Sequence, residues 1–105
     1  VRGIHATLIA SLTDQSNNLR AVFKDRYAEE PFITLTEGDY EPETRHVKGT
    51  NRCEIDVTRP PGDKVVVTVA IDNLVKGAAG QAIQAMNLML SLDECTGLNM
   101  PSSHP

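Results

Sequence analysis

Apolar and polar positions alternate from Ile4 to Leu12. Ile4, Ala6, Leu8, Ala10 and Leu12 share one side, and His5, Thr7, Ile9 and Ser11 the other. That period of two predicts a strand with one well-buried face. Thr13 and Asp14 offer capping oxygens for a helix with the stripe Leu19, Val22, Phe23 and Tyr27. Pro31 ends that helix, because a proline pushes the residue before it out of helical geometry. Phe32 to Thr36 reads as a short strand, and residues 37–51, punctuated by Gly38, Pro42 and Gly49, as a loop. Cys53, Ile55 and Val57 then alternate with Arg52, Glu54, Asp56 and Thr58, a half-buried strand with a wet outer face. Arg59 to Asp63 has turn composition. The run Lys64 to Ile71 is β-branched and apolar on both sides, as a central strand is. These two strands and their loop predict a hairpin.

Asp72 or Asn73 caps the longest predicted helix, which reaches about Leu92. Its apolar stripe is Val75, Ala79, Ala82, Ile83, Met86, Met89 and Leu90. Between Gly77 and Leu92 no residue is charged, and the other side carries Gly80, Gln81, Gln84, Asn87 and Ser91. An uncharged, amide-rich outer face predicts contact with a second domain or subunit. Gly77 and Gly80 each cost about 0.8–1 kcal/mol relative to Ala inside a helix, which points to a close backbone approach. The tail from Asp93 to Pro105, with Gly97, Pro101 and Pro105, reads as an extended arm. The order β-α-β-β-β-α, with one hairpin, predicts an α+β fold: a mixed or antiparallel sheet with helices packed on one face.

Composition narrows the function. A chain of 105 residues makes one small domain, and a net charge of -4 with no basic stripe excludes a nucleic-acid backbone partner. The absence of Trp, with only two Phe and two Tyr, argues against a stacking surface. Neither a signal peptide nor a long apolar run is present, so a cytoplasmic setting and no membrane contact are expected. Val1 stands where an initiator Met is usual, and the strand pattern begins at once. We therefore expect a piece of a longer polypeptide.

The segment Ile71-Asp72-Asn73-Leu74-Val75-Lys76-Gly77-Ala78-Ala79-Gly80-Gln81-Ala82 resembles the closing strand-to-helix junction of N-acetyl-γ-glutamyl-phosphate reductases. A looser version is similar to aspartate-semialdehyde dehydrogenases. Arg2-Gly3-Ile4 before Ala6-Thr7, Val47-Lys48-Gly49-Thr50-Asn51 before Cys53, and Met86-Asn87-Leu88-Met89-Leu90 look like the same arginine-pathway branch. The resemblance implies part of a glyceraldehyde-3-phosphate-dehydrogenase-like C-terminal domain. Residues 1–92 would belong to the dimerisation and substrate domain, and 93–105 to an extended tail. It also implies reduction of an acyl phosphate to an aldehyde with NADPH, through a cysteine thiolate and a histidine acid/base. The implied partners are an N-terminal nucleotide-binding domain, a second copy of the chain and the acyl phosphate.

The family's Gly-Cys-Tyr-Pro-like and His-x-His-x-Pro-Glu-like stretches do not occur here, nor does a Gly-x-Gly-x-x-Gly loop. No catalytic residue is therefore expected in this chain, and no activity from it alone. Two other readings stay open: a non-catalytic dimerisation or regulatory module, and a related reductase of an aminoadipyl or aspartyl phosphate. By the resemblance, Asn73 would face the nicotinamide amide. Lys76, a cation in a first helical turn where the dipole opposes it, marks a candidate anion contact. These two are the candidate NADP-binding residues. Cys53 reads as core and Cys95 as a free tail thiol. His5, His46 and His104 share no metal-ligand spacing and read as surface or structural residues, with a ligand cleft lined by the Thr44–Asn51 loop of His46 as the alternative. Glu41 and Glu43 read as solvated and Arg2 as a surface residue, with approach to an acidic substrate as the alternative.

Overall fold

The computed structural model describes residues 1–15 and 18–102. The elements are β1 (Ile4–Ser11), α1 (Leu19–Arg26), β2 (Ile33–Leu35), α2 (Thr44–Val47), β3 (Cys53–Thr58) and β4 (Lys64–Ile71). A π-helical turn, Val75–Ala79, then runs into α3, Gly80–Met89. The four strands form one sheet in the order β1-β4-β3-β2. β4 is antiparallel to both β1 and β3, whereas β2 runs parallel to β3. The fold is therefore α+β with a mixed sheet, and the short α2 adds to the order expected from the sequence.

The β-branched run Lys64–Ile71 lies between two strands, as its two-sided apolar pattern requires. Register brings Leu8, Val67 and Val57 into one row and Ala6, Val69 and Ile55 into the next. On that face Cys53, Ile55, Val57 and Val65 form the buried cluster, with Leu19 and Phe23 of α1 and its C-cap Tyr27 packed against it. β1 departs from expectation. It is an edge strand, α1 does not reach across it, and Leu8 stays 54% exposed. Period two told which residues share a face, but not whether that face is covered.

The capping expectation also moves. Asn18, not Thr13 or Asp14, caps α1, its Oδ1 accepting from the Ala21 N–H at 3.2 Å. Leu12 still belongs to the sheet, donating to the Asp63 carbonyl at 2.7 Å, so the chain needs more residues to leave it. α1 closes at Tyr27, whose N–H donates to Phe23, and the chain turns before it reaches Pro31.

The largest correction concerns α3, which lies the other way up. Gly80, Gln84 and Asn87 are its buried residues. Ile83, Met86, Met89 and Leu90, expected to form the inner stripe, are exposed, Met89 by 83%. The amide side faces inward because the chain itself covers it. Asn51 approaches from the loop before β3, and the tail folds back from the far end of the helix. The tail is not an extended arm over 93–98. Thr96 N–H donates to the Asp93 carbonyl and Leu98 N–H to that of Cys95, and Leu98 is buried. Among the described residues no helix is long and apolar enough to cross a membrane.

Candidate functional site

Asp72 directly follows β4 and ties three segments together. Its Oδ2 accepts from Arg2 Nε at 3.0 Å and Gly49 N–H at 2.7 Å, with Arg2 Nη2 2.8 Å away. Its Oδ1 accepts from Leu74 N–H at 2.7 Å and Val75 N–H at 3.1 Å, which caps the π turn. The side chain has no solvent exposure. Burial pushes this carboxyl up, but the Gly49 N–H, the Arg2 guanidinium and the Leu74 and Val75 N–H groups outweigh it and hold the pKa at about 2. Next to it, Asn73 Oδ1 accepts from the Gly3 N–H at 2.6 Å, fastening the start of β1 to the end of β4. Among the described residues Asn73 Nδ2 takes no protein partner.

A second polar centre lies under α3. Gln84 Oε1 accepts from Asn51 Nδ2 at 2.9 Å and from Lys76 Nζ at 2.7 Å, and Gln84 Nε2 donates to Glu94 Oε2 at 2.5 Å. Asn87 Nδ2 donates to the carbonyls of Glu94 and Thr96. Gly80 is needed here. A Cβ at that position would lie 2.3 Å from Asn51 Oδ1 and 2.7 Å from the Val75 carbonyl oxygen. The close approach read from the glycine is therefore made by the chain's own Asn51. The wider π turn accommodates it, with Gly77 N–H bonded to the Asp72 carbonyl and Ala79 N–H to that of Leu74.

Lys76 belongs to this buried centre. Its Nζ lies 5.5 Å from the Phe32 ring centroid, and burial lowers its pKa against the pull of Cys53, Glu94 and Glu30. The sequence read it as a cation offered to an outside anion; in the structure its charge is turned inward. Cys53 is core, its thiol pushed up by burial, which keeps it protonated and unreactive. Cys95 is a free, half-exposed thiol in the tail turn.

Glu54 was missed by the sequence reading. Expected on a wet face, it is 2% exposed. Tyr40 OH donates to its Oε2 at 3.0 Å, the Glu43 N–H donates to its Oε1 at 3.2 Å, and His46 Nδ1 lies 3.4 Å from Oε1. The Tyr40 and His46 rings stack at 4.9 Å, and burial, followed by Glu54, raises the Tyr40 pKa. This cluster clamps the loop carrying α2 onto the sheet face opposite α1. An acidic residue in a strand followed only distant partners, and no local signal in the sequence marks it. His5 is exposed and lines a shallow cleft with Glu41 and Asp56, Glu43 pairs with Arg45 at 2.6 Å, and His104 lies outside the described residues. No group of three or more His, Cys, Asp or Glu is placed to hold a metal among the described residues.

A family model described as "Semialdehyde dehydrogenase, dimerisation domain" matches residues 1–73. The protein of Pseudomonas savastanoi pv. phaseolicola named N-acetyl-gamma-glutamyl-phosphate reductase is 52% identical over 100% of this chain and 31% of its own length. Proteins of the same name from Ectopseudomonas mendocina and Azotobacter vinelandii are each 56% identical, over 94% and 93% of the chain and 29% of their own lengths. The chain thus spans less than a third of these relatives.

Proposed function

Because this chain belongs to the semialdehyde dehydrogenase family through its dimerisation domain, we propose that it is the dimerisation and substrate-side part of a cytoplasmic, NADP-dependent N-acetyl-γ-glutamyl-phosphate reductase. The observation that carries this reading is the 52–56% identity to proteins of that name across 93–100% of the chain. In the complete enzyme NADPH would supply hydride to an acyl phosphate. The nucleophile and the nucleotide loop would come from sequence this chain does not contain.

The chain's own residues would bind and orient. Asn73 sits half-buried at the junction of β4 and the π turn, its Oδ1 fixed by Gly3. That leaves Nδ2 as a donor suited to the carbonyl of a nicotinamide carboxamide. Lys76, bonded to Gln84, would hold the turn that carries Asn73 and so act on the cofactor by position. The outward apolar side of α3 would be covered by the nucleotide-binding part of the same polypeptide, and the uncovered sheet would meet a second copy.

Turnover decides the matter. A complete polypeptide containing this chain should oxidise N-acetylglutamate semialdehyde with NADP and phosphate, and the 105-residue chain alone should not. Equal turnover of aspartate semialdehyde would contradict the substrate assignment. Activity of the isolated chain would contradict its reading as one part of the enzyme.

A further inference from the structure

The turn that joins Asn73 to α3 does not have α-helical register. Gly77 N–H bonds to the Asp72 carbonyl, Ala79 N–H to that of Leu74 and Gly80 N–H to that of Val75. Each bond reaches one residue further back than in an α-helix. One extra residue is thereby wound into the turn, which rotates α3 by about 100° relative to the end of β4 that leads into Asn73. On the strand side Gly3 N–H fixes the Asn73 amide, and on the helix side only the turn does.

π-helical turns are rare, so contacts from outside the turn must favour this one. Gln84 supplies the first. In a continuous α-helix, side chains eight residues apart lie about 80° apart around the axis; with one extra residue wound in, they come to within about 20° of one face. Lys76 and Gln84 are such a pair, and Lys76 Nζ donates to Gln84 Oε1 at 2.7 Å. The α register would turn these two groups away from each other. Gln84 is buried and held at both ends of its amide: Oε1 also accepts from Asn51 Nδ2 at 2.9 Å, and Nε2 donates to Glu94.

Asn51 supplies the second contact. It has no solvent exposure, and because Nδ2 faces Gln84, Oδ1 is turned against Gly80. Among the described residues that buried oxygen accepts no hydrogen bond. A buried acceptor without a donor is destabilising, and the fold tolerates it while keeping Asn51 seated on the glycine that follows the π turn.

We infer that Gln84, together with Asn51, is a positioning residue for the cofactor contact: its hydrogen bonds hold the π register, and that register aims the Asn73 amide. The cofactor half of this inference rests on the proposed function; the register half does not.

Exchanging Gln84 and Glu94 tests it. Gln84→Glu alone keeps the acceptor for Lys76 and Asn51 but sets a carboxylate against Glu94 where a donor stood. In the complete polypeptide it should raise KM for NADPH about tenfold. Adding Glu94→Gln returns a donor to that contact with its direction reversed, and should bring KM for NADPH back to within about twofold of wild type. KM for the acyl phosphate should change by less than about twofold in both variants. Gln84→Met, which removes acceptor and donor together, should raise KM for NADPH further. Should Gln84→Met fail to fold, the single Gln84→Glu variant and the exchange, which preserve shape, still carry the test.

Hydrogen exchange over residues 77–80 of the complete polypeptide, read by mass spectrometry, follows the register without cofactor. It should quicken at least about tenfold in Gln84→Glu and return to the wild-type rate in the double variant. Wild-type exchange in Gln84→Glu would overturn the register claim. Faster exchange with an unchanged KM for NADPH, or both KM values rising together, would overturn the positioning of Asn73. A wild-type polypeptide with no turnover would instead count against the proposed function, and hydrogen exchange would still decide the register.

Discussion

The sheet under α1 and the helix at the other end of the chain are built on opposite plans. Beneath α1 the interior is apolar: Ile55, Val57 and Val65 meet Phe23 and Leu19, and the polar residues of β3 lie on the other side. Beneath α3 the interior is made of amides, Asn51, Gln84 and Asn87, with a lysine and a glutamate at its ends, and the apolar residues point outward. An apolar interior tolerates small adjustments, since its attraction has no direction. An interior of hydrogen bonds does not, because each donor left without an acceptor costs its full desolvation. The chain spends directional chemistry on the end that carries Asn73 and non-directional packing on the end that only has to hold together.

Four substitutions or conditions test this contrast, each read as a shift in urea unfolding midpoint. Ile55→Ala, in the apolar interior, should cost about 3–4 kcal/mol by lost burial and a cavity. Gly80→Ala should cost about 2–3 kcal/mol by overpacking, although Gly to Ala inside an ordinary helix gains about 1 kcal/mol. The sign reverses because the new methyl would meet Asn51 Oδ1 and the Val75 backbone. A stabilised Gly80→Ala variant would mean that Asn51 does not sit against the helix.

Next comes acid. Asp72 has a folded pKa of about 2, depressed from 3.8. A depressed carboxyl contributes stability that is present above the unfolded pKa and lost as pH falls through the folded one. About 2 kcal/mol should disappear between roughly pH 4 and pH 2, and Asp72→Asn should flatten that part of the profile. The smallest effect belongs to the outer side of α3. Met89→Lys should change stability by less than about 0.5 kcal/mol, since Met89 is 83% exposed.

Strands were legible because period two survives any tertiary context. β3, β4 and their hairpin lie where alternation and turn composition put them, and the central place of β4 followed from its two apolar sides. Coverage was not legible. The exposure of β1 depends on how far α1 reaches, which no local pattern encodes. The orientation of α3 was misread for a related reason. An apolar stripe and an amide stripe on one helix do not say which is inside until the partners are known, and Asn51 and Glu94 supply them from outside the helix. Of the candidate site, the junction Asp72–Asn73 stood out in the sequence, and Gly80 marked a close approach. The grip of Asp72 on Arg2 spans 70 positions and could be seen only in three dimensions.

The reductase reading requires the outward side of α3 to lie against protein when the polypeptide is complete. Placing a reporter thiol there, as Ile83→Cys in a Cys95→Ser background, and reading its modification on the peptide that carries it by mass spectrometry makes that side directly measurable, apart from the buried Cys53 and from the nucleophilic cysteine expected in the complete enzyme. In the 105-residue chain the reporter should react with a water-soluble maleimide at nearly the rate of a free thiol. In the complete polypeptide it should react at least about a hundredfold more slowly, as for a site opened only by local unfolding. Equal rates in the two would contradict the account.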